Sequence, residues 1–397
     1  MDARTGLPRV GIVGAGQLAR MMHQAAIALG QSVRVLADSP DDGAALVAHD
    51  VYVGDYRSLE DLRRFADGCD VVTFDHEHVP GEHIRALAAE GRTVLPSADA
   101  LHHAQDKVAM RARLGALGLP CPPWQPLPAP VAEAEAAVGS FGAEHGWPLV
   151  LKAVRGGYDG NGVWLVDGAA QAAEVLRAAE VNATPMMVEQ RVAIARELAA
   201  VVARSPFGQG VAWPVVETVQ RDGICVEVIA PAPGLGEELG REATEIALRI
   251  ATELDVVGVL AVELFETVDG ALVINELAMR PHNSAHWTIE GARTSQFEQH
   301  LRAVLDYPLG DPSPTAPVVV MANVLGGPPD VQPAGIDERL HHGMARWPDV
   351  KVHLYGKEFR PGRKVGHVTA LGEDLPSVRD RARSAAAFLG EGGSVEH

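Results

Sequence analysis

Cysteine is scarce in this sequence: its 397 residues include three, Cys69, Cys121 and Cys225, and no Cys-x-x-Cys pair. This scarcity excludes a disulfide scaffold and a thiolate metal site, and it indicates reduced thiols in an intracellular protein. No run of about 18 apolar residues suggests a membrane span, and no signal peptide is visible at the N-terminus. We therefore expect a cytoplasmic protein with no membrane partner.

Positive charge is also in short supply, because 34 Lys and Arg stand against 52 Asp and Glu, which gives a formal net charge of −18. Nucleic-acid binding needs a basic surface, so no nucleic-acid partner is expected. A small phosphorylated substrate is compatible with this charge, since a few local cations can hold it. The length predicts about two to three globular domains.

The N-terminal segment is predicted to be a βαβ unit. A buried strand at 9–13 leads into Gly14-Ala-Gly16 and a helix, and residues 32–38 form the next strand. The turn matches the G-x-G-x-x-A dinucleotide fingerprint, with Asp38 as the acid that ends the second strand. This segment alone is compatible with an NAD-dependent dehydrogenase and also with a helix N-terminus that binds another phosphate.

A polar segment, Asp75-His76-Glu77-His78, follows the strand predicted at 69–74. It lies at the carboxyl end of the parallel sheet, where open α/β folds bind ligands. His-Glu-His resembles a metal ligand set, but alternate strand residues face opposite ways, so the three side chains cannot converge. We expect Glu77 to contact substrate, although a solvated loop is also compatible with this pattern.

Proline is concentrated in one place, with six prolines among the eleven residues from Pro120 to Pro130. Such a segment is predicted to be a semi-rigid linker and the clearest domain boundary in the chain.

The next segment carries a glycine-rich loop. Apolar runs at 149–153 and 163–166 flank four glycines between residues 156 and 162, which predicts strand, loop and strand. Glycines expose backbone N–H groups to an anion, and Lys152 places a cation beside them. The spacing is not that of a Walker loop, and a plain hairpin loop is an alternative.

Two carboxylates lie in apolar strands around a second hairpin. Glu263 and Glu276 each stand six positions from the Asp269-Gly270 turn, so they can lie opposite one another. Carboxylates in buried strands are costly unless a cation neutralises them, and Mg²⁺ binds through one or two carboxylates plus nucleotide phosphates. The alternative is that both residues face solvent.

Together these features resemble the ATP-grasp superfamily and, more narrowly, the N5-carboxyaminoimidazole ribonucleotide synthase family. Four motifs carry the resemblance, in order, along nearly the whole chain. They are Gly-x-Gly-Gln-Leu-x-Arg-Met at 14–21, Gly-Gly-Tyr-Asp-Gly-x-Gly at 156–162, Asn-Glu-Leu-Ala-x-Arg-x-His-Asn-Ser-x-His-Trp at 275–287 and Arg-Pro-Gly-Arg-Lys-x-Gly-His at 360–367.

The chain departs from the family's usual residues at a few positions. Met279 and Ala285 replace a proline and a glycine of the third motif, Asp75 begins the segment that is often Glu-x-Glu, and Gln220 stands where histidine is frequent. If the family's glycine at the position of Ala285 supplies a positive φ, the substrate loop would shift in this chain. None of these departures removes a charged catalytic group.

The resemblance implies a cytoplasmic ligase that forms a C–N bond between bicarbonate and 5-aminoimidazole ribonucleotide in purine biosynthesis, and that cleaves ATP to ADP and phosphate. Bicarbonate would first accept the γ-phosphoryl group, giving carboxyphosphate, and the substrate amine would then take the carboxyl carbon directly or as released CO₂. The metal would be Mg²⁺, with Mn²⁺ as an alternative, on Glu263 and Glu276. Arg280, Asn283 and Asp159 would act in catalysis.

The resemblance also implies two binding sites, with the lysines on the ATP phosphates, the glycine loop closing over them, and the basic motif on the 5′-phosphate of the ribonucleotide. ATP would contact Lys107, Lys152, Gly157, Tyr158, Asp159, Gly160, Asn161, Gly162, Val163, Glu189, Gln190, Arg191, Val192, Glu197, Gln220, Asn275 and Glu276. The ribonucleotide would contact Gly16, Gln17, Leu18, Glu77, Tyr158, Arg280, His282, Asn283, Ser284, Arg360, Arg363 and Lys364.

The expected architecture is an α/β and α+β protein with the ATP-grasp fold. A Rossmann-like domain would span 1–105, two ATP-grasp lobes 106–310, and a small β-rich domain 311–397, and the family implies a homodimer. A dehydrogenase would leave the carboxylate pair and the glycine loop unused. Two alternatives are closer to this interpretation: a sister ATP-grasp enzyme that uses formate or another acyl donor, and a degenerate ATP-grasp protein that binds its ligands without catalysis.

Overall fold

The structure, a computed structural model, describes residues 1–157, 160–327 and 335–392. The N-terminal part alternates strands and helices, as the sequence predicts. Its elements are β1 (Arg9–Val13), α1 (Gln17–Ala28), β2 (Ser32–Ala37), β3 (Asp50–Val53), α2 (Leu59–Ala66), β4 (Val71–Phe74), α3 (Gly81–Ala89) and α4 (Ala98–Gln105). The strands form a parallel sheet in the order β3-β2-β1-β4, which sets the carboxyl ends of β1 and β4 side by side.

A small antiparallel sheet carries the glycine-rich loop. This part consists of α5 (Lys107–Ala116), β5 (Trp124–Pro126), α6 (Val131–His145), β6 (Leu149–Ala153), β7 (Val163–Val166), α7 (Ala169–Val181) and β8 (Met186–Gln190). The strand order is β5-β8-β6-β7. The predicted strand, loop and strand are confirmed, because β6 and β7 pair with Lys152 opposite Val163.

The proline-rich segment differs in part from its prediction as a linker. Three of its residues form the short strand β5, in which Trp124 pairs with Glu189 of β8. The strand lies at the edge of the sheet, which is where proline is tolerated, because an edge strand leaves some backbone N–H groups unpaired.

The largest sheet has nine strands. Its elements are β9 (Ile194–Arg204), β10 (Gly210–Ala212), β11 (Val216–Arg221), β12 (Ile224–Ala230), α8 (Glu237–Glu253), β13 (Gly258–Thr267), β14 (Leu272–Ala278), a 3-10 turn (Asn283–Ala285), α9 (Thr288–Gly291), α10 (Gln296–Val304), β15 (Val318–Leu325), α11 (Ile336–Arg346), β16 (Lys351–Leu354), β17 (Lys364–Gly372) and α12 (Leu375–Glu391). The order is β14-β13-β9-β11-β12-β15-β17-β16, with β10 beside β9.

The three C-terminal strands extend this sheet. β12 pairs with β15 in antiparallel register, with Glu227 opposite Ala322. The buried Glu227 carboxylate then accepts hydrogen bonds from Arg379 Nε at 2.9 Å and Arg383 Nη2 at 2.7 Å, both on α12. The sequence predicts a small β-rich domain in this part of the chain, but it predicts neither the continuous sheet nor α11.

A continuous apolar core joins the first sheet to the largest one. Phe74 at the end of β4, Leu101 of α4 and Leu114 of α5 pack in the same buried cluster as Leu260 of β13 and Ile274 of β14. This core fixes the ends of β4 and β14 close together, which brings their polar residues into one cleft. Among the described residues, no helix has both the length and the apolar character needed to cross a membrane.

Candidate active site

The two predicted metal carboxylates lie opposite one another on the β13–β14 hairpin. Glu263 pairs directly with Glu276, so the predicted pairing of the two carboxylates is confirmed. The register shifts immediately after this pair, where Leu264 faces Ile274, so Asn275 is an extra residue in β14. Such a bulge re-aims side chains, and here Asn275 Nδ2 donates to Glu263 Oε2 at 3.3 Å. Three polar side chains of the hairpin therefore converge on one face.

The electrostatics of this pair fit a bound cation. Burial, together with the negative charges of Glu276 and Glu197, raises the pKa of Glu263 to about 7. The ammonium group of Lys107 already binds Glu276 Oε1. The part of the chain that the structure describes holds no group of three or more Asp, Glu, His or Cys that could bind a metal alone. The pair therefore fits Mg²⁺, which completes its coordination with nucleotide phosphates and water.

Two lysines and an arginine surround the same hairpin. Lys152 Nζ lies 2.7 Å from Glu189 Oε2 and 3.3 Å from Asn275 Oδ1. Arg111 Nε donates to Glu189 Oε1 at 2.7 Å, and Arg111 Nη2 donates to the Asn275 carbonyl at 2.8 Å. Burial lowers the pKa of Lys152. Burial alone would raise the pKa of Glu189, but Lys152 and Arg111 outweigh it and lower the pKa.

The structure thus brings Lys107 and Lys152 together, as predicted, although they stand on different elements. The Lys107 amide donates to the Val154 carbonyl at 3.0 Å, which ties the start of α5 to the end of β6. Their contact with the ATP phosphates stays a prediction. The Glu189 carboxylate, which is also predicted to contact ATP, pairs with Lys152 and Arg111.

Positive φ angles explain the glycines of the loop between β6 and β7. Gly156, Gly160 and Gly162 have φ angles of 79°, 77° and 78°, which residues with a side chain rarely adopt. A Cβ at Gly157 would come within 2.9 Å of the Asn161 carbonyl oxygen. The predicted ligands Tyr158 and Asp159 lie outside the described residues.

Other residues predicted to contact ATP lie along β8, β9 and β11 and in the connection after β8. Glu197 pairs with Thr218 across the β9–β11 ladder. Burial raises the pKa of the Glu197 carboxyl, and a hydrogen bond from Gln220 opposes that rise. Gln190 donates to the His145 carbonyl at 3.2 Å. Arg191 is exposed and Val192 half-buried in the connection that follows β8.

The segment after β14 turns back toward the carboxylate pair. Arg280 Nη2 lies 3.1 Å from Glu77 Oε2, and Glu77 Oε1 accepts a hydrogen bond from the Met279 amide at 2.9 Å. His282 Nε2 lies 3.5 Å from Glu263 Oε1, and its Nδ1 lies 2.9 Å from Ser284 Oγ. Burial lowers the pKa of His282 to about 3, so its imidazole is neutral at physiological pH.

Two buried polar atoms in this segment fit a polar ligand. Within the described chain, Arg280 Nε and Asn283 Nδ2 have no hydrogen-bond partner, whereas buried polar atoms normally have one. Burial raises the pKa of the neighbouring Cys225 thiol to about 12, which excludes a nucleophilic thiolate here. Ala285 lies in the 3-10 turn, where φ is negative, so this alanine does not strain the loop.

The G-x-G turn binds a carboxylate of the protein itself. Asp75 Oδ2 accepts hydrogen bonds from the Gly16 amide at 2.6 Å and the Ala19 amide at 3.2 Å. A Cβ on Gly14 or Gly16 would lie 3.0 Å from an Asp75 carboxylate oxygen. The glycines therefore make room for Asp75, which occupies the anion site that a dinucleotide would need.

The turn also borders a cleft of about 410 Å³ that the C-terminal part closes. Gly16 and Arg363 both line it, so the structure brings together these two predicted substrate residues. Leu18, on the buried face of α1, packs in the core. Arg360 is exposed and pairs with Glu358 at 2.6 Å. The positive charge of Lys364 opposes the rise in the pKa of Glu263 and contributes to the low pKa of His282, which places this lysine near both side chains.

Three stretches of the chain match known domain families. Residues 7–105 match the ribonucleotide synthetase preATP-grasp domain, residues 112–297 the ATP-grasp domain, and residues 319–381 the phosphoribosylaminoimidazole carboxylase C-terminal domain. The N5-carboxyaminoimidazole ribonucleotide synthase of Mycobacterium leprae (strain TN) is 58% identical over 394 residues, which cover 97% of this chain and 90% of that protein. The chain belongs to the N5-carboxyaminoimidazole ribonucleotide synthase family.

Solved structures of this synthase family share the fold. The synthetase from Thermus thermophilus is 36% identical with a TM-score of 0.84, covering 98% of this chain and 100% of that one. The synthase from Aspergillus clavatus, in complex with ADP and 5-aminoimidazole ribonucleotide, is 30% identical with a TM-score of 0.85, covering 96% and 98%. The predicted ATP-grasp fold, with a domain before it and a domain after it, is confirmed.

As a member of the synthase family, the chain is an ATP-grasp ligase, and the dehydrogenase alternative is wrong. Asp75 gives the physical reason why a dinucleotide fingerprint is present without a dinucleotide site. The sequence interpretation missed Lys357, which lines the same cleft and whose ammonium binds Gln17 Oε1. The available signal was its position three residues before the basic motif.

Proposed function

We propose that this synthase-family chain carboxylates 5-aminoimidazole ribonucleotide with bicarbonate, in a reaction that cleaves ATP to ADP and phosphate during purine biosynthesis. The observation that carries the proposal is the Glu263–Glu276 pair, set among Lys107, Lys152 and Arg280 at the cleft between the sheets. The relative from Aspergillus clavatus was solved with ADP and 5-aminoimidazole ribonucleotide, which supports these two ligands for the present chain.

The reaction proceeds in two bond-making steps. A bicarbonate oxygen attacks the γ-phosphorus and ADP leaves, giving carboxyphosphate. The exocyclic amine then bonds to the carboxyl carbon, either directly or after CO₂ forms, while the carbon–oxygen bond to phosphate breaks and the amine loses a proton. Phosphoryl transfer depends on positioning and charge neutralisation, so the roles of Lys107, Lys152 and Arg280 are to hold the phosphates and the transferring group.

Glu263 and Glu276 hold the metal in this proposal. Mg²⁺, or Mn²⁺ in its place, supplies positive charge to the nucleotide phosphates when bound. The raised pKa of Glu263 supports this assignment, because a cation removes the repulsion that disfavours the second carboxylate charge.

The acyl donor is tested by a comparison of substrates. Purified protein with Mg-ATP and 5-aminoimidazole ribonucleotide is expected to release ADP when bicarbonate is added and not when formate replaces it. ADP release with formate would favour the sister ATP-grasp enzyme. A lack of substrate-dependent ADP release with either donor would favour the binding protein.

The substrate site gives a prediction for the basic motif. Lys364→Ala is expected to raise the KM for the ribonucleotide by roughly ten- to a hundred-fold, the effect of losing a charge-assisted hydrogen bond worth about 1.5–3 kcal/mol. The KM for ATP should barely change, because the two substrates meet only at the γ-phosphate. Lys351→Ala, which removes an exposed lysine of β16, is the control. Steady-state kinetics in which the ATP KM rises as much as the ribonucleotide KM would contradict the assignment.

The glycine-rich loop gives a prediction that chymotrypsin can test, because the sequence places Tyr158 in it. A non-hydrolysable Mg-ATP analogue is expected to slow cleavage after Tyr158, since the loop closes over the nucleotide. Phe207, which is 86% exposed in the turn between β9 and β10, is the internal control and should be cut at the same rate in both samples. Equal cleavage at Tyr158 with and without nucleotide would count against loop closure.

We also propose the wider organisation that the family implies. The proposed domains span 1–105, 106–310 and 311–397, and three matched stretches, at 7–105, 112–297 and 319–381, support a division into three. The protein works in the cytoplasm as a homodimer, and sedimentation at micromolar concentration tests the dimer, since a monomer mass would reject it.

A further inference from the structure

Gln296, the first residue of α10, is fully buried and points at the backbone of His282. Its Oε1 accepts a hydrogen bond from the His282 amide at 2.8 Å, and its Nε2 donates to the His282 carbonyl at 2.8 Å. These two bonds fix which end of the side-chain amide is oxygen and which is nitrogen. One glutamine thus satisfies both backbone groups of one residue in the segment after β14.

Gln296 is itself held from two sides. Its backbone amide donates to Thr288 Oγ1 at 2.9 Å, and that hydroxyl donates to the Ala285 carbonyl at 2.6 Å. Its Nε2 also lies 2.9 Å from His286 Nδ1. Burial keeps the pKa of His286 well below its usual value, so the ring is neutral and Nδ1 can accept this hydrogen bond. The amide therefore has one favourable orientation.

The backbone that Gln296 holds sets the place of the His282 imidazole. His282 Nε2 lies 3.5 Å from Glu263 Oε1, and Arg280, two residues earlier, is tied to Glu77. Arg280 and the 3-10 turn hold the two ends of the segment that contains His282. A shift of the His282 backbone therefore changes the position of the imidazole relative to the carboxylate pair. A displacement of about 1 Å in such a site can cost on the order of a hundred-fold in rate.

We propose that Gln296 is a positioning residue, which holds the His282 backbone so that the imidazole stays beside Glu263 and thereby sets the turnover rate. Gln296 does this without contact with ATP or ribonucleotide. The proposal rests on the proposed function, in which His282 faces the ribonucleotide. A glutamine that only stabilises the fold would have the same burial and the same hydrogen bonds, so the test must separate rate from stability.

The chain contains a matched control on the same helix. Gln299 is also fully buried, and its side-chain amide makes the same pair of bonds with one backbone residue. Its Nε2 donates to the Gly310 carbonyl at 2.7 Å, and its Oε1 accepts from the Gly310 amide at 2.8 Å. Gly310 belongs to the connection between α10 and β15, so Gln299 stabilises the fold by an equivalent contact elsewhere.

The test compares Gln296→Met and Gln299→Met, which remove the hydrogen bonds at nearly constant volume. The Tm should fall by a similar amount in both variants. Gln296→Met should lower kcat for ribonucleotide-dependent ADP release by roughly ten- to a hundred-fold with the ATP KM within about twofold, whereas Gln299→Met should keep kcat within about threefold. Gln296→Glu places a carboxylate oxygen opposite the His282 carbonyl and should lower kcat at least as far. This variant replaces Gln296→Met in the test if the methionine variant does not fold.

The proposal is overturned by a Gln296→Met protein with kcat within threefold of wild type, and equally by the same loss of kcat in both methionine variants. Failure of the proposed function has a different signature, because the wild-type protein would then show no ribonucleotide-dependent ADP release. In that case the ¹⁵N shifts of the His282 ring decide the positioning role. Gln296→Met should move them and Gln299→Met should not, and unchanged shifts would overturn it.

Discussion

Replacing Glu276 with Gln is expected to remove nearly all turnover while leaving the protein folded. Glu276 lies directly opposite Glu263, and its carboxylate is 37% exposed toward the cleft, so the loss affects the site more than the core. The substitution removes one of two anions that hold the cation on the phosphates. The loss of several kcal/mol of transition-state stabilisation corresponds to a fall of about a hundred-fold or more in kcat.

Asp269→Asn is the matched control for this experiment, because it makes the same charge change in the exposed turn of the same hairpin. Its kcat should equal that of the wild type. Retention of more than about a tenth of the activity by Glu276→Gln, measured as ADP release, would reject Glu276 as a metal ligand.

The largest effect on stability is expected for Glu189→Gln. Glu189 lies between two buried cations, with Arg111 and Lys152 each 2.7 Å from one of its oxygens and 1% and 9% exposed. The substitution preserves the shape but leaves both cations facing a neutral amide. Removing one partner from a buried ionic network typically costs about 3–5 kcal/mol, so urea denaturation should show that the free energy of unfolding falls by this amount.

The pH dependence of the stabilisation by Glu189 follows from the direction in which folding shifts its pKa. The pKa of Glu189 is lower in the folded protein than in the unfolded chain, where it is near 4.5. The folded state therefore favours the ionised form, and the stabilisation is present above that unfolded value and is lost as the pH falls below it. The difference between Glu189→Gln and wild type should accordingly shrink in acid.

Glu253→Gln is the control, because Glu253 forms an ion pair with Arg113 of the same helix as Arg111, but on the surface with exposures of 43% and 39%. Exposed pairs contribute about 0–1 kcal/mol, so this variant should unfold nearly as the wild type does. A loss below about 1 kcal/mol for Glu189→Gln would show that Arg111 and Lys152 do not depend on it.

The features that the sequence predicts correctly are those that local pattern determines. The sequence around the Asp269-Gly270 turn predicts the hairpin and the facing of Glu263 and Glu276, although in the structure this pairing also depends on the bulge at Asn275. The same is true of the loop between β6 and β7, because two short apolar runs flank its glycines. The motif resemblance adds the family, which no single pattern could establish.

The contacts that the sequence does not predict join residues far apart in the chain. Asp75 reaches the Gly16 amide only because β1 and β4 are neighbours in a parallel sheet. Lys357 reaches Gln17 across 340 residues. β15 extends the largest sheet by pairing with β12, and no local pattern specifies which of two exposed edges a later strand will join. These pairings follow from the packing of the whole chain.

Transfer of labelled carbon tests the proposed function most directly. Purified protein is incubated with ¹³C-bicarbonate, Mg-ATP and 5-aminoimidazole ribonucleotide, and ADP and the labelled product are measured in the same sample by NMR. The proposed function predicts one ¹³C carboxyl group on the exocyclic nitrogen of the ribonucleotide for each ADP released. ADP release that continues without bicarbonate, or a ribonucleotide that remains unlabelled while ADP accumulates, would contradict it.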